Sequence, residues 1–279
     1  MGSPIDLTTL ATAKAWLSIT GTGSDVVVAR LITAVSSSVL TYLQRPTFQS
    51  SAYLDVVDGW GTNEMLLRQW PVTAISGVTI GPDAIPQAGN DYNNPVVGWT
   101  YNFWAPPGPG HQADSTLALR GRTFPQGVKN VRVAYTAGYC VMNEAQVASN
   151  PPGEPRITVM APWGNWIGDL GVTYQDGTPL TKVAATPATG QYTVSDTING
   201  LYGFAAGDEG ETMLISYSYC PADVEQVVLD MMGDRYTYRQ RFGVRSQSLA
   251  GQESITFMDS GIPDYARDAL AMYRRLIPA

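Results

Sequence analysis

The sequence predicts an α+β fold: a helical host domain with a β-layer, interrupted by an inserted all-β sandwich. Three observations carry this expectation. Helical spacing of apolar residues is confined to two stretches at each end of the chain. Between them lie short alternating segments divided by Gly, Pro, Asn and Asp clusters. Finally, "VRVAYTAGYC", ending at Cys140, and "MLISYSYC", ending at Cys220, share a terminal Tyr-Cys pair, and the second leads straight into a helix whereas the first leads into a polar, proline-rich stretch.

The first helix is expected in "DLTTLATAKAWLSITG", with Asp6 or Thr8 as cap and Leu10, Ala13, Trp16 and Leu17 on one face. Gly21 and Gly23 break it. In "SDVVVARLITAVSSSVLTYLQRP", residues Val28, Leu31, Ile32, Val35, Val39, Tyr42 and Leu43 follow three-four spacing, with Ser24 as N-cap and Pro46 stopping the helix after Arg45. Strands are expected in "SAYLDVVDG", "NEMLLRQWPVTAISGVTI", "STLALRG" and "VKNVRVAYTAGY". Residues 91–114 read as an exposed loop, with Trp99, Tyr101, Phe103 and Trp104 forming either a contact patch or the loop's own packing.

After Cys220, "PADVEQVVLDMMGDRYTYRQRFG" reads as a helix with acids in its early turns and arginines in its last. Its apolar face is Val224, Val227, Val228, Met231, Tyr238 and Phe242. Arg235 falls on that face, where it is expected either to pair with a carboxylate or to snorkel to a boundary between subunits; with Arg239, one turn later, it is a candidate subunit-interface residue. A polar loop, "GVRSQSLAGQESITFMDSG", precedes a last helix in "IPDYARDALAMYRRLIPA", with Ala266, Ala269, Leu270, Tyr273 and Leu276 or Ile277 buried.

The interruption has its own strand ladder: "RITVMAP", "WIGDLGVTYQDG", "PLTKVA", "GQYTVS", "LYGFAA" and "ETMLISYSY". The expected domains are therefore 1–142 and 220–279 as the two parts of the host and 143–219 as the insert. The insert is expected to have an independent core and to be removable from the host. Its ends must then lie close together, placing Cys140 and Cys220 at one seam.

Charge is uneven along the chain. Residues 1–142 carry eight basic and eight acidic side chains, residues 143–219 two and eight, and residues 235–279 seven arginines against four acids. Different ends are expected to meet different neighbours. The opening "MGSPIDLTTL" has neither a basic region nor an apolar core, so no signal peptide is expected, and no uninterrupted apolar run reaches bilayer length. Two cysteines are too few for a disulfide framework or a cysteine zinc site, and both are expected to be free thiols of a reducing cytosol. The single histidine, His111, lies in the loop "PPGPGHQADS", and neither a Walker loop nor a dinucleotide fingerprint occurs. No enzyme, cofactor or metal is expected. The adjacent carboxylates Asp208 and Glu209 in "AAGDEGE" read as a solvated turn, with an acid–base pair of a β-rich hydrolase as the competing reading.

With residues 143–219 set aside, the host resembles the head–tail connector (adaptor) proteins of long-tailed bacteriophages. The likeness rests on the order of "DLTTLATAKAWLSITGTGSDVVVARLITAVSSSVLTYLQRP", "LLRQWPVTAISGVTI", "FPQGVKNVRVAYTAGY", "PADVEQVVLDMMGDRYTYRQRFGVRSQSLAGQESITF" and "IPDYARDALAMYRRL". The insert, through "GVTYQDGTPL" and "GQYTV", is similar to immunoglobulin-like sandwich modules of phage structural proteins. The resemblance implies a ring of about twelve subunits under the capsid portal. Such a ring receives a stopper or tail-completion protein below, and double-stranded DNA slides through it without specific binding. It also implies a virion component assembled in the host cytoplasm, with no catalytic residues and no membrane contact. The basic C-terminal part is expected to face the portal through Arg267, Arg274 and Arg275. A carbohydrate- or cell-surface-binding module, built on the sandwich and the aromatics of 99–104, is the alternative from another class.

Overall fold

The computed structural model describes residues 5–88, 98–101, 116–149, 153–195, 199–238, 246–249, 253–256 and 262–275. These residues form a strand-rich α+β fold in which a helical cluster joins two β units.

The helices are α1 (Leu10–Trp16), α2 (Asp25–Leu43), α3 (Ala222–Tyr238) and α4 (Asp264–Ala271). The cap of α1 is Thr9, whose hydroxyl accepts the Thr12 N–H at 3.0 Å; it is neither Asp6 nor Thr8. Those two are used between helices. Asp6 accepts from Thr33 on α2 at 2.8 Å, and Thr8 donates to Glu225 on α3 at 2.8 Å. α2 stops before Arg45 because Gln44 turns left-handed, at φ 56°, and closes the helix through its N–H. By length and composition α2 alone among the described helices is apolar enough to cross a membrane. Val28, Ile32, Val35, Val39, Leu40 and Leu43 bury its stripe in the helical cluster, whereas Arg30, Ser37 and Thr41 are exposed. Val224, Val227, Val228, Met231 and Met232 of α3 meet that stripe, as do Ala266, Leu270 and Tyr273 from the C-terminal end.

The first β unit contains β1 (Ser51–Gly59), β2 (Glu64–Leu66), β3 (Val72–Ile80), β4 (Asp83–Ile85), β5 (Gly98–Tyr101), β6 (Thr116–Arg120) and β7 (Gly127–Ala137). Two antiparallel sheets, ordered β1-β7-β3-β4 and β2-β6-β5, enclose Leu67, Val72, Trp99, Leu117, Leu119, Phe124, Val131, Val133 and Tyr135. The stretch expected to run from Asn63 to Ile80 is divided at Leu67–Pro71, where Trp70 leaves the sheet for the helical cluster. Trp99 lies on β5 with its indole in the core, so it is no part of an exposed aromatic patch.

The second unit contains β8 (Cys140–Val147), β9 (Arg156–Thr158), β10 (Gly164–Tyr174), β11 (Thr181–Lys182), β12 (Gln191–Val194), β13 (Leu201–Phe204) and β14 (Thr212–Pro221). One sheet is ordered β10-β14-β8, the other β11-β12-β13-β9, and Ile157, Val172, Tyr202, Phe204, Met213 and Ile215 fill the space they share. Asp169 on β10 ties the sheets together. It accepts hydrogen bonds from Tyr192 (2.9 Å) and Tyr202 (3.3 Å) and pairs with Lys182 (3.0 Å).

β8 lies partly in the stretch read as a polar break after Cys140. Its alternation was obscured by Asn143, Glu144 and Gln146; Asn143 has a positive φ of 56° and accompanies a register shift between Ile215 and Tyr217 on the partner strand. Gly138, at φ 142°, permits the bend between β7 and β8, for a Cβ there would stand 2.5 Å from the Ser50 Cα. The polar loop expected between α3 and α4 contains a hairpin of β15 (Ser246–Leu249) and β16 (Glu253–Thr256).

The seam between helices and second unit is a shared sheet. Residues 143 and 219 fall inside β8 and β14, and the upper halves of these strands belong to the helical cluster. Tyr219 and Cys220 are buried there, with Trp163, Ile167 and Val141 packed against it. Gly164 is needed at the join, because a Cβ would lie 1.8 Å from the Cys220 carbonyl oxygen. Cys140 stands opposite Ser218, two residues from Cys220. Strand spacing then puts the two cysteines roughly 8 Å apart, and both are free thiols.

Removing 143–219 would therefore strip Trp163, Ile167 and Tyr219 from the helical core. Replacing that span with a Gly/Ser linker is expected to lower the stability of the remaining protein by several kcal/mol, about the sum of two or three large core truncations. Urea unfolding followed by circular dichroism checks this; a midpoint like that of the full chain would contradict it.

Candidate assembly surface

Any surface presented by the C-terminal end depends on how that end is held. Arg45, directly after α2, is only 5% exposed and accompanied by aromatic rings. Its guanidinium lies 4.0 Å from the Trp70 ring centre and 5.8 Å from those of Phe48 and Tyr139. Nε donates to the Tyr273 carbonyl and Nη1 to the Trp70 carbonyl. Burial pushes its pKa down to about 10, although nearby tyrosines oppose the shift.

The end of the chain is fastened around this cation. The Arg275 N–H donates to the Leu43 carbonyl at 2.9 Å, satisfying an orphan acceptor at the end of α2. The Trp70 indole N–H reaches the Arg274 carbonyl at 3.4 Å. The Tyr273 hydroxyl lies 2.8 and 2.7 Å from the two oxygens of Asp223, in the first turn of α3, and its ring packs against Phe48 and Tyr139.

The structure separates the three candidate portal-facing arginines. Arg267 is exposed and makes a 3.4 Å pair with Asp264, a contact of small energy at such exposure. Arg274 is exposed, with its guanidinium 5.8 Å from the Tyr42 ring centre. Arg275 is half-buried. Arg235 points back to α2, where it donates to Ser38 at 3.5 Å; Arg239, His111, Phe103 and Trp104 lie outside the described residues, as does the Tyr101 side chain.

The carboxylate pair does not form a catalytic dyad. Asp208 is buried and accepts the Tyr174 hydroxyl at 2.7 Å, while Glu209 is exposed and accepts the Gly153 N–H at 3.2 Å. The turn was expected to be solvated on both residues, and Asp208 departs from that by bonding Tyr174 within the fold. Burial, then the Asp208 carboxylate, pushes the Tyr174 hydroxyl up to about 12. Among the described residues no three His, Cys, Asp or Glu side chains converge as a metal site. Arg45 and its cage were missed by sequence reasoning. The available signal was a cation between a helix end and a proline, in a chain where Trp70 also precedes a proline.

Residues 6–113 match the family described as head completion protein. The match covers α1, α2 and the first unit as far as β5, well under half of the chain. No curated protein matches the sequence.

Two outcomes test the fastening. Tyr273→Phe leaves the Asp223 carboxylate without its hydroxyl donor and is expected to cost about 1–3 kcal/mol in a denaturant titration. Alkaline pH should act more broadly. Burial raises the hydroxyl of Tyr219 to about 12 and those of Tyr139, Tyr202 and Tyr273 further, against an ordinary value near 10. Such groups keep their protons in the native state after the unfolded state has lost them. Their contribution is complete below pH ~10 and is lost as pH rises through 12. Cooperative unfolding above pH ~10, coincident with the rise of tyrosinate absorbance, is the expected result; tyrosine ionisation without unfolding would contradict it.

Proposed function

We propose that this chain is a structural head–tail adaptor of a bacteriophage virion. The match of residues 6–113 to head completion proteins carries the reading: it supports a phage head–tail structural role and a place at the head–tail interface. In the fuller reading, about twelve copies form a closed ring beneath the portal. The ring extends the DNA channel and offers a docking surface to a stopper or tail-completion protein. Double-stranded DNA passes through without specific binding, for an acidic chain of net charge −7 lacks the cationic excess that holds phosphates. The ring is assembled in the host cytoplasm and acts without cofactor or catalysis.

The packing is consistent with one host built from both ends of the chain. α1 and α2 from the matched span share a core with α3 and α4 from beyond it. Residues 143–219 are then an inserted, immunoglobulin-like sandwich between host parts 1–142 and 220–279, interlocked with the host through β8 and β14. The carbohydrate-binding alternative loses Trp99, whose ring is in the core of the first unit.

The exposed Arg267 and Arg274 are the portal-facing residues of this reading; the half-buried Arg275 is mainly structural, and Arg235 and Arg239 remain proposed interface residues. Truncation after Gly261 would also remove Ala266, Leu270 and Tyr273 from the core, so surface charge is the cleaner probe. The double substitution Arg267→Glu, Arg274→Glu is expected to fold normally by thermal melting and to lose attachment to portal-bearing capsids in co-sedimentation. Attachment equal to wild type rejects the portal assignment. Negative-stain images of the particle test the role itself, a ring at the capsid–tail junction being the expected density.

A further inference from the structure

The chain has ten asparagines, and Asn199 is the one that precedes a glycine. The pair stands in the turn that leads into β13, with Asn199 exposed and Gly200 buried. The fold fixes the glycine. Its φ is +70°, and a Cβ would stand 2.5 Å from Val159 Cγ2. Its carbonyl accepts the Val159 N–H at 3.0 Å, whereas its own N–H has no acceptor among the described residues.

Asn199 is held from the other side. Its Nδ2 donates to the Trp166 carbonyl at 3.2 Å and to Asn165 Oδ1 at 3.4 Å, both on β10. Asn165 is only half satisfied, for its own Nδ2 is buried without a hydrogen-bond partner. Asn165 and Trp166 stand opposite Cys220 and Tyr219, where β14 enters the helical cluster.

We propose that Asn199 is a self-modifying residue, which this turn deamidates to a carboxylate through a cyclic imide. In asparagine the side-chain carbonyl carbon is one five-membered ring away from the next backbone nitrogen, and a glycine leaves that nitrogen unshielded. The Gly200 nitrogen gives up its proton and attacks Asn199 Cγ, forming the N–Cγ bond. The Cγ–Nδ2 bond then breaks, and the nitrogen takes up a proton and leaves as ammonia. The two acceptors already on Nδ2 stabilise the positive charge it gains before departure. Water next opens the imide at one of its two carbonyls, which leaves one new carboxylate and a main chain running through either the α- or the β-carboxyl carbon. The product cannot donate to Trp166 or to Asn165 Oδ1. Flipping the Asn165 amide turns its unpartnered Nδ2 toward the new carboxylate, so the orphan donor is satisfied by the product and not by the starting residue. The step needs only water and is independent of the adaptor reading.

Peptide mapping by mass spectrometry tests it on the full chain, stored folded at neutral and at mildly alkaline pH. The expected result is conversion at Asn199 into two isomeric products, at a rate that rises with hydroxide because the attacking nitrogen must lose its proton. Asn199→Gln, whose longer side chain requires a less favourable six-membered ring, is expected to lose the conversion. A native chain in which Asn199 stays intact while the urea-unfolded chain converts overturns the proposal, because the fold would then protect the pair. Conversion at other asparagines in preference to Asn199 overturns it as well. Thermal melting tests the role of Asn165. Asn199→Asp is expected to melt cooperatively like the wild type, and Asn199→Asp with Asn165→Ala to melt lower than Asn165→Ala alone. Equal melting of those last two chains rejects Asn165 as the partner of the product. If Asn199→Asp fails to fold, the product has no place in this turn and the proposal falls.

Discussion

A buried guanidinium that meets no carboxylate among the described residues sets the terms for the rest of the protein. Among the described residues Arg45 finds its acceptors in the Tyr273 and Trp70 carbonyl oxygens and its counter-field in aromatic faces. The requirement draws together the end of α2, the connection before β3 and the residues after α4, three segments with no local reason to meet. The aromatic cluster is its consequence: Phe48, Trp70, Tyr139 and Tyr273 pack around the cation and then around one another. Tyr273 passes the connection to Asp223 and so to the start of α3. The exposed Arg267 of α4 and Arg274 just after it are held in place by this chain of contacts, although neither takes part in it through its guanidinium.

Sequence periodicity was informative wherever one face of an element is buried and the other wet. α2 presents its expected stripe and α3 does so from Val224 to Met231, the Tyr238 side chain and Phe242 lying outside the described residues; β1 occupies Ser51–Gly59, and the tyrosine alternation of β14 is real. It was silent where tertiary contacts overrule local pattern. β8 alternates too weakly to be seen because polar residues occupy its middle, yet pairing with β14 makes it a strand. The cap of α1 moved to Thr9 because Asp6 and Thr8 were claimed by α2 and α3. Trp99 looked like loop surface because the proline- and glycine-rich residues around it dominate that stretch, while its ring fills the first β core.

Charge gave a partial account of the candidate surfaces. The excess acid of residues 143–219 and the arginines of the C-terminal part were visible in composition. What composition could not separate was charge at the surface from charge consumed within the fold. Asp169 and Asp208 count toward the acidic excess yet spend it on Tyr192, Tyr202 and Tyr174. Arg45 counts as a base and lies inside the protein. The acidic character available to a partner is consequently smaller than the sequence total and gathered at one end of the second unit.

β14 runs from Thr212 at the far end of the second unit to Pro221, and α3 begins at the next residue with no intervening loop. It is the central strand of its sheet, flanked by β8 and β10. Tension applied along it from the far end would load those ladders in shear, with many hydrogen bonds resisting together, whereas a terminal loop would peel one bond at a time. The same strand is a stiff mechanical link: a push at one end arrives at the first turn of α3, where Asp223 holds Tyr273. The second β unit is thereby coupled to the C-terminal fastening as a lever is to its fulcrum.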